Sequence, residues 1–152
     1  MAFIKSINIK GSGGVPKTPV NKSFLGKEKV SGDQQNDLKH HGGVDRAVCL
    51  FSIEIIQALK EEGHPISPGS TGENLTIEGL DWSLMTSGTT LSVGDAKIEL
   101  TRPAPPCKTI KDSFIDGQFI RISELKNPGF SRWYARVLKE GVVCKNDKVI
   151  VI

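Results

Sequence analysis

The sequence has few aromatic residues, no long hydrophobic run and little net charge. Aromatic residues make up 6% of its 152 residues, and the net charge is only +3. No stretch approaches the roughly 20 apolar residues of a membrane-spanning helix, and the opening MAFIKSINIK lacks the apolar core of a signal peptide. No run of Lys and Arg is interleaved with stacking residues. We therefore expect a cytoplasmic protein that binds neither membranes nor nucleic acid.

Cysteine is also scarce. The three cysteines, Cys49, Cys107 and Cys144, contain no Cys-x-x-Cys pair, and their odd number leaves a free thiol however they pair. The adjacent His40 and His41 lack the spacing of a zinc site, so we do not expect zinc. Cys49 and Cys144 lie in or beside apolar runs, where free cysteine acts as a small core hydrophobe.

Glycine and proline, in contrast, are plentiful. The 16 glycines and 8 prolines separate short apolar runs, a pattern typical of strands joined by tight turns. The pattern predicts strands at residues 3–9, 44–51, 73–77, 90–93 and 97–101. It also predicts an edge strand or extended segment at 15–20 and a hairpin over 142–152. Closure of these strands into a barrel would leave no exposed strand edges. The sequence thus predicts a single, mainly β domain, a closed β-barrel with a few short helices.

Three helices are predicted within this β-rich chain. Ser52 is the expected N-cap of the first, since apolar residues follow it at helical spacing until Gly63. A short second helix is predicted at residues 119–122. The third is predicted to begin at Ser131 and to end at Gly141. Its apolar face would hold Trp133, Tyr134, Val137 and Leu138.

Cys107 is the residue with the clearest chemical potential. Pro103, Pro105 and Pro106 precede it, so the approaching backbone is stiff and is not expected in a central strand. If a helix begins at Cys107, its unpaired N–H groups and the neighbouring Lys108 would stabilise a thiolate. A thiolate is the type of ligand that soft metals prefer. The residues alone leave open the alternative of a loop cysteine without a chemical role.

A basic loop from Gly32 to Arg46 leads into the buried part of the predicted strand at 44–51. It brings Lys39, His41 and Arg46 close to the pair Gly42–Gly43. Glycine lets backbone N–H groups approach a ligand, and the arginine fork matches phosphate or carboxylate. The pattern predicts a ligand-binding loop, with a solvated polar turn as the alternative.

Asn74 begins the predicted strand that follows a loop rich in proline and glycine. Its side chain carries both donors and acceptors, which suits the amide-like edge of a ligand. An asparagine at such a position can equally be structural, because Asn is common in turns.

Four segments together resemble the MOSC domain, which is named for the C-terminal domain of molybdenum-cofactor sulfurases. They are GDQQNDLKHHGGVDRAVCLF, HPISPGSTGENLTIEGLDW, LTRPAPPCKTI and RWYARVLKEG. Their order and separations fit stand-alone bacterial members, from about residue 3 to the C-terminus. The resemblance implies a closed β-barrel related to the one inserted in pyruvate kinase.

The resemblance also implies a function. It implies binding of the molybdenum cofactor (molybdopterin), with Cys107 as both the metal ligand and the catalytic residue. The residues expected to bind the cofactor's phosphate and pterin are Lys39, His41, Arg46, Asn74 and Arg136. Related proteins reduce N-hydroxylated small molecules such as hydroxylaminopurines, and a separate reductase is expected to donate the electrons.

A second function remains open from the resemblance. Other MOSC proteins act in cofactor sulfuration, so this chain could be a non-catalytic carrier of the cofactor or a sulfur relay through a persulfide on Cys107. We expect neither a preceding pyridoxal-phosphate sulfurase domain nor the helical extension that follows the barrel in some relatives. Without the former, the chain would not generate sulfane sulfur by itself. The oligomeric state is not predicted.

Overall fold

Short strands separated by turns dominate the computed structural model, which describes residues 1–34 and 43–152. The described strands are β1 (Ala2–Ile9), β2 (Thr18–Val20), β3 (Lys22–Leu25), β4 (Val48–Ser52), β5 (Leu75–Glu78), β6 (Thr90–Val93), β7 (Ala96–Ala104), β8 (Arg132–Lys139), β9 (Gly141–Cys144) and β10 (Lys148–Val151). The described α-helix is α1 (Ile53–Glu61). Short 3₁₀ helices cover Val44–Arg46, Trp82–Leu84, Lys108–Ser113, Ile115–Gly117 and Phe119–Ile122.

Seven of these strands close into a barrel. They follow the order β10, β6, β7, β8, β4, β5 and β1, and β1 pairs again with β10. Only β4 and β5 run parallel, and the other neighbours in the ring are antiparallel. β2 adds to the end of β1, and β3 pairs with β9 in a separate two-stranded sheet. The predicted closed barrel is confirmed.

The barrel interior is filled by apolar side chains, because alternate residues of each strand point inward. Ile4, Leu50, Leu75 and Ile98 are fully buried there. None of the described helices is long and apolar enough to cross a membrane.

The helix predicted after Ser52 is confirmed. The Ser52 hydroxyl accepts a hydrogen bond from the Ile55 backbone N–H at 3.2 Å, which satisfies a donor that the helix leaves unpaired. Ile56 and Leu59 of α1 are buried in the core. The short helix at residues 119–122 is also present, as a 3₁₀ helix.

The helix predicted from Ser131 is wrong, because residues 132–139 form strand β8. Trp133 lies in the barrel core, whereas Tyr134 lies in a separate buried cluster on the other face. Since both faces of the strand are covered, the apolar residues do not alternate with polar ones, and their spacing imitates a helix.

The predicted hairpin over residues 142–152 is also wrong. β9 pairs with β3, with Phe24 opposite Val142, and β10 pairs with β1 and β6. The turn between them therefore connects two different sheets. A strand's partner depends on the closure of the whole barrel, which local turn residues do not determine.

Several predicted strand boundaries need correction. The edge strand predicted at 15–20 begins only at Thr18, and the strand predicted at 73–77 begins at Leu75. The strand predicted at 44–51 begins only at Val48, since Val44–Arg46 forms a 3₁₀ turn. β7 extends to Ala104, past the predicted end at residue 101, and so contains Pro103. β6 pairs with β7 only as far as Glu99, so β8 is the single neighbour of Pro103 among the described strands, and the missing N–H interrupts no second ladder there.

Candidate functional site

A cavity of about 240 Å³ opens on the outer face of the barrel wall, beside Cys107. The strands β4 and β8 form its base through Cys49 and Tyr134, whose neighbours in sequence point into the barrel core. Its sides come from the segment around Lys17, the loop containing Thr71 and the turn that begins at Cys107. Chain segments far apart in sequence therefore meet at this cavity.

Cys107 lies where β7 ends and the 3₁₀ helix Lys108–Ser113 begins. Its backbone is extended, and its carbonyl accepts a hydrogen bond from the Ile110 N–H at 3.2 Å. The Sγ atom is half-buried and lies 2.9 Å from the Thr109 hydroxyl oxygen. That hydroxyl can donate to a thiolate, so the turn holds the sulfur at the cavity wall. A helix does begin directly after Cys107, but it is a short 3₁₀ helix.

Arg132, the first residue of β8, borders the same cavity and is only 5% exposed. Its Nη1 donates to the Thr71 carbonyl, and its Nη2 donates to the Pro105 carbonyl at 3.2 Å. Its buried Nε has no hydrogen-bond partner in the described part of the chain. Arg132 thereby joins the two loops that flank the cavity, one of which leads directly to Cys107.

An ion pair between Lys17 and Asp33 lies at another side of the cavity. The side chains are 9% and 1% exposed, respectively. Asp33 also accepts hydrogen bonds from the Lys10 backbone N–H at 2.8 Å and from the Asn74 side-chain amide at 3.0 Å. The Lys17 charge is therefore balanced by a carboxylate of the protein.

Asn74 lies in the cavity wall, where the sequence predicts a ligand contact. Its Oδ1 accepts from the Cys49 backbone N–H at 3.1 Å. Its Nδ2 donates to the Asn8 carbonyl at 3.3 Å and to Asp33 at 3.0 Å. Asn74 thus ties β4 to β1, and its contact with a ligand stays a prediction.

Glu73 is fully buried beside this network. Its carboxyl accepts hydrogen bonds from the Gly69 N–H at 3.0 Å and from the hydroxyls of Thr71 at 2.9 Å and Thr76 at 3.1 Å. Burial raises the pKa of Glu73, and these donors offset part of the rise. Gly69 has φ +83, and a Cβ there would lie 2.5 Å from the Lys17 carbonyl, so this close approach requires glycine.

Cys49 and Tyr134 face each other across β4 and β8 and pack with Ala104. Cys49 is 7% exposed, which confirms its predicted burial. Burial raises the pKa of its thiol to about 11, and burial raises the pKa of Tyr134 as well. The expectation of a plain core role for Cys49 missed its position at the base of the cavity.

A second cavity, of about 510 Å³, opens on the same side of the barrel. Arg46, on the 3₁₀ turn before β4, borders both cavities. Arg136 borders only the second, where it pairs with Asp45 at 3.0 Å and with Glu99 at 3.5 Å. The Cys107 cavity therefore brings Arg46, Asn74 and Cys107 together, whereas Arg136 shares only the second cavity with Arg46.

Lys39 and His41 lie outside the described residues, and their predicted roles stay predictions. Among residues 1–34 and 43–152, no group of three or more His, Cys, Asp and Glu side chains could hold a metal ion by itself.

Arg132 is the site residue that the sequence interpretation missed. In the sequence, Arg132 is only a charged residue beside Trp133 and Tyr134, and the burial that makes it notable is a three-dimensional property. The mistaken helix at these positions hid it, because Arg132 then occupies the first turn of an ordinary amphipathic helix.

Comparison with known proteins agrees with the fold. The sequence profile of the MOSC domain matches residues 37–150. YflK of Bacillus subtilis (strain 168), described as uncharacterized, is 33% identical over 132 residues, which are 86% of this chain and 59% of YflK. The chain thus spans about three fifths of that relative's length.

Two further proteins extend the comparison. The crystal structure of YiiM from Geobacillus stearothermophilus matches with a TM-score of 0.76 at 26% identity, covering 100% of this chain and 75% of that one. A protein named reductase from Gibberella moniliformis (strain M3125 / FGSC 7600) is 26% identical over 134 residues, which are 85% of this chain and 23% of the reductase. Because the family profile matches well over half of its sequence, this chain belongs to the MOSC domain family.

Proposed function

We propose that this chain binds the molybdenum cofactor and reduces N-hydroxylated small molecules, with Cys107 as the thiolate ligand of molybdenum. The observation that carries the proposal is the position of the Cys107 sulfur at the wall of a cavity that also holds the buried Arg132 guanidinium. A thiolate suits a soft metal, and a guanidinium suits the phosphate of a pterin cofactor.

The residues around the cavity fit such a group. Arg46 borders it at the end of the basic loop, so a phosphate there would meet cationic donors from two sides. The Cys107 cavity alone is slightly smaller than the roughly 300–1,000 Å³ of typical ligand sites, and the second cavity lies next to it across Arg46. Lys39 and His41 belong to this proposal through their place in the sequence, shortly before Arg46.

When bound, the cofactor would supply the two-electron redox chemistry, as cofactors generally do. The chain's own residues bind and orient it: Cys107 holds the metal, Thr109 orients the sulfur, and Arg132 fixes the loop before Cys107. We propose that a separate reductase delivers the electrons. The reductase from Gibberella supports an oxidoreductase role, although the chain matches only 23% of that protein.

The test compares Cys107→Ser with Cys144→Ser in protein produced in a host that makes the molybdenum cofactor. Serine keeps the size of cysteine but replaces an ionisable soft ligand by a neutral hydroxyl. We expect Cys107→Ser to lose reduction of hydroxylaminopurine, with little change in melting temperature because Cys107 lies in a turn. Cys144 is half-buried and does not border the cavity, so Cys144→Ser should stay active.

Full activity of Cys107→Ser would refute the role of the thiolate. A persulfide on Cys107 in purified wild-type protein, without reduction of any N-hydroxylated compound, would instead favour the carrier or sulfur relay. Metal and pterin analysis of both variants separates loss of the cofactor from loss of turnover.

A further inference from the structure

The environment of Arg132 differs from that of the other buried cation at the cavity. Lys17 is paired with Asp33, whereas no ion pair of Arg132 occurs within the described ranges. The acceptors of Arg132 are the neutral carbonyls of Thr71 and Pro105. A buried charge without a carboxylate partner is costly, which calls for an explanation in terms of what the charge binds.

The nearby carboxyl groups of Asp33 and Glu73 do not pair with Arg132 in the described structure. Asp33 accepts from Lys17, and the carboxyl of Glu73 accepts from one backbone N–H and two hydroxyls. A guanidinium has five N–H donors in a fixed plane. Two of them are used by protein carbonyls in the described structure, so Arg132 keeps donors for a molecule in the cavity.

We propose that Arg132 forms an oxyanion subsite of the Cys107 cavity, which holds a phosphate or carboxylate group of the ligand. The two carbonyl contacts fix the plane of the guanidinium and attach it to the loop that leads to Cys107. An anion bound there is therefore held at a set position relative to the sulfur. The identity of the ligand rests on the proposed function, in which the oxyanion is the phosphate of the pterin or a group of the substrate.

The experiment uses inorganic phosphate as the probe and cofactor-free protein, so that it does not depend on molybdenum. Two readouts are measured at constant ionic strength: the melting temperature, and the rate at which iodoacetamide alkylates Cys107. The variants are Arg132→Met, which removes the charge, and Arg132→Lys, which keeps it. Arg121→Met is the matched control, because Arg121 pairs with Glu62 and borders neither of the two cavities.

We expect phosphate to raise the melting temperature of the wild type and to slow alkylation of Cys107. Arg132→Met should weaken phosphate binding about tenfold or more, the usual effect of losing a hydrogen bond to a charged group. Arg132→Lys should recover most of the affinity, whereas a purely structural Arg132 would give the same defect in both variants. Arg121→Met should bind phosphate like the wild type.

Wild-type affinity in a folded Arg132→Met variant, or no effect of phosphate on the wild type, would overturn the proposal. If Arg132→Met does not fold, Arg132→Gln takes its place against Arg132→Lys, and equal phosphate binding by these two would overturn it. Failure of the molybdenum chemistry would leave phosphate binding intact, so the two proposals fail separately.

The source of the oxyanion is decided with cofactor-loaded protein. If the pterin phosphate occupies the subsite, inorganic phosphate no longer raises the melting temperature once the cofactor is bound. If the substrate's own anionic group uses it, phosphate still binds and competes with the substrate, raising KM without changing kcat.

Discussion

The two faces of β8 have opposite characters. Trp133, Ala135 and Val137 point into the barrel and belong to its apolar core. Arg132, on the opposite face, borders the Cys107 cavity, and Arg136, four residues further along, borders the second cavity. One strand thus supports the fold with one side and builds the candidate site with the other, as the alternation of side chains along a strand allows.

The two arginines on the outer face also differ from each other. Arg136 is 42% exposed in its side chain and pairs with two carboxylates, whereas Arg132 is 5% exposed and meets only carbonyls in the described structure. A compensated, accessible charge belongs to the protein's surface chemistry. A buried charge without a carboxylate partner, such as that of Arg132, indicates a bound ligand. The environments of the two arginines therefore distinguish the Cys107 cavity from the second cavity more clearly than the cavity volumes do.

The largest effect should come from the inner face. Trp133→Ala removes a large side chain from the core, and we expect a loss of about 3–5 kcal/mol in the free energy of unfolding. Leu138→Ala is the control on the same strand, since Leu138 is 44% exposed and should change stability by less than about 0.5 kcal/mol. Urea denaturation measures both. Similar small losses in the two variants would contradict the assignment of this face to the core.

A smaller effect is expected from Cys49, which faces the cavity from β4. Burial raises the pKa of its thiol from an ordinary 9.0 to about 11, and the positive charge of Arg132 offsets part of the rise. Because the folded protein holds the proton more tightly, the unfolded chain loses it first as the pH rises. This contribution to the free energy of unfolding is fully present below pH 9. It is lost as the pH rises from 9 to 11, which lowers the free energy of unfolding by up to about 2–3 kcal/mol.

Cys49→Ala isolates this contribution from the many lysines that titrate in the same range. The difference in unfolding free energy between the wild type and Cys49→Ala should shift against the wild type between pH 9 and 11. A difference that does not change with pH would show that the Cys49 thiol titrates normally. Iodoacetamide should also label Cys107 well before Cys49 in the native protein at pH 8, and both equally in urea.

The barrel could be predicted because its signals are local. Gly and Pro mark the turns, Ser52 marks the start of α1, and the apolar runs mark most strands. The spacing of apolar residues could not identify the segment from Arg132 as a strand, because a strand that is covered on both faces does not alternate apolar and polar residues. The partners of β9 and β10 were beyond reach as well, because they follow from closure of the entire ring.

The candidate site was predictable only in part. Cys107 and Arg46 could be found because a thiol after prolines and an arginine after paired glycines are unusual in the sequence itself. Arg132 becomes notable only through its burial and its carbonyl partners, which are three-dimensional properties. Arg136 looked equivalent in sequence, and the carboxylates that neutralise it come from another strand and another turn.

The smallest effect should come from Arg136, and it tests the contrast with Arg132 directly. Arg136→Met removes ion pairs with Asp45 and Glu99, whose side chains are 64% and 30% exposed. Solvent screens such pairs, so we expect the free energy of unfolding to fall by no more than about 1 kcal/mol, and by still less in high salt. Urea denaturation at low and high salt gives both values. A loss of several kcal/mol would mean that the buried Nε of Arg136, not its exposed ion pairs, determines its role, and the two arginines would then be alike.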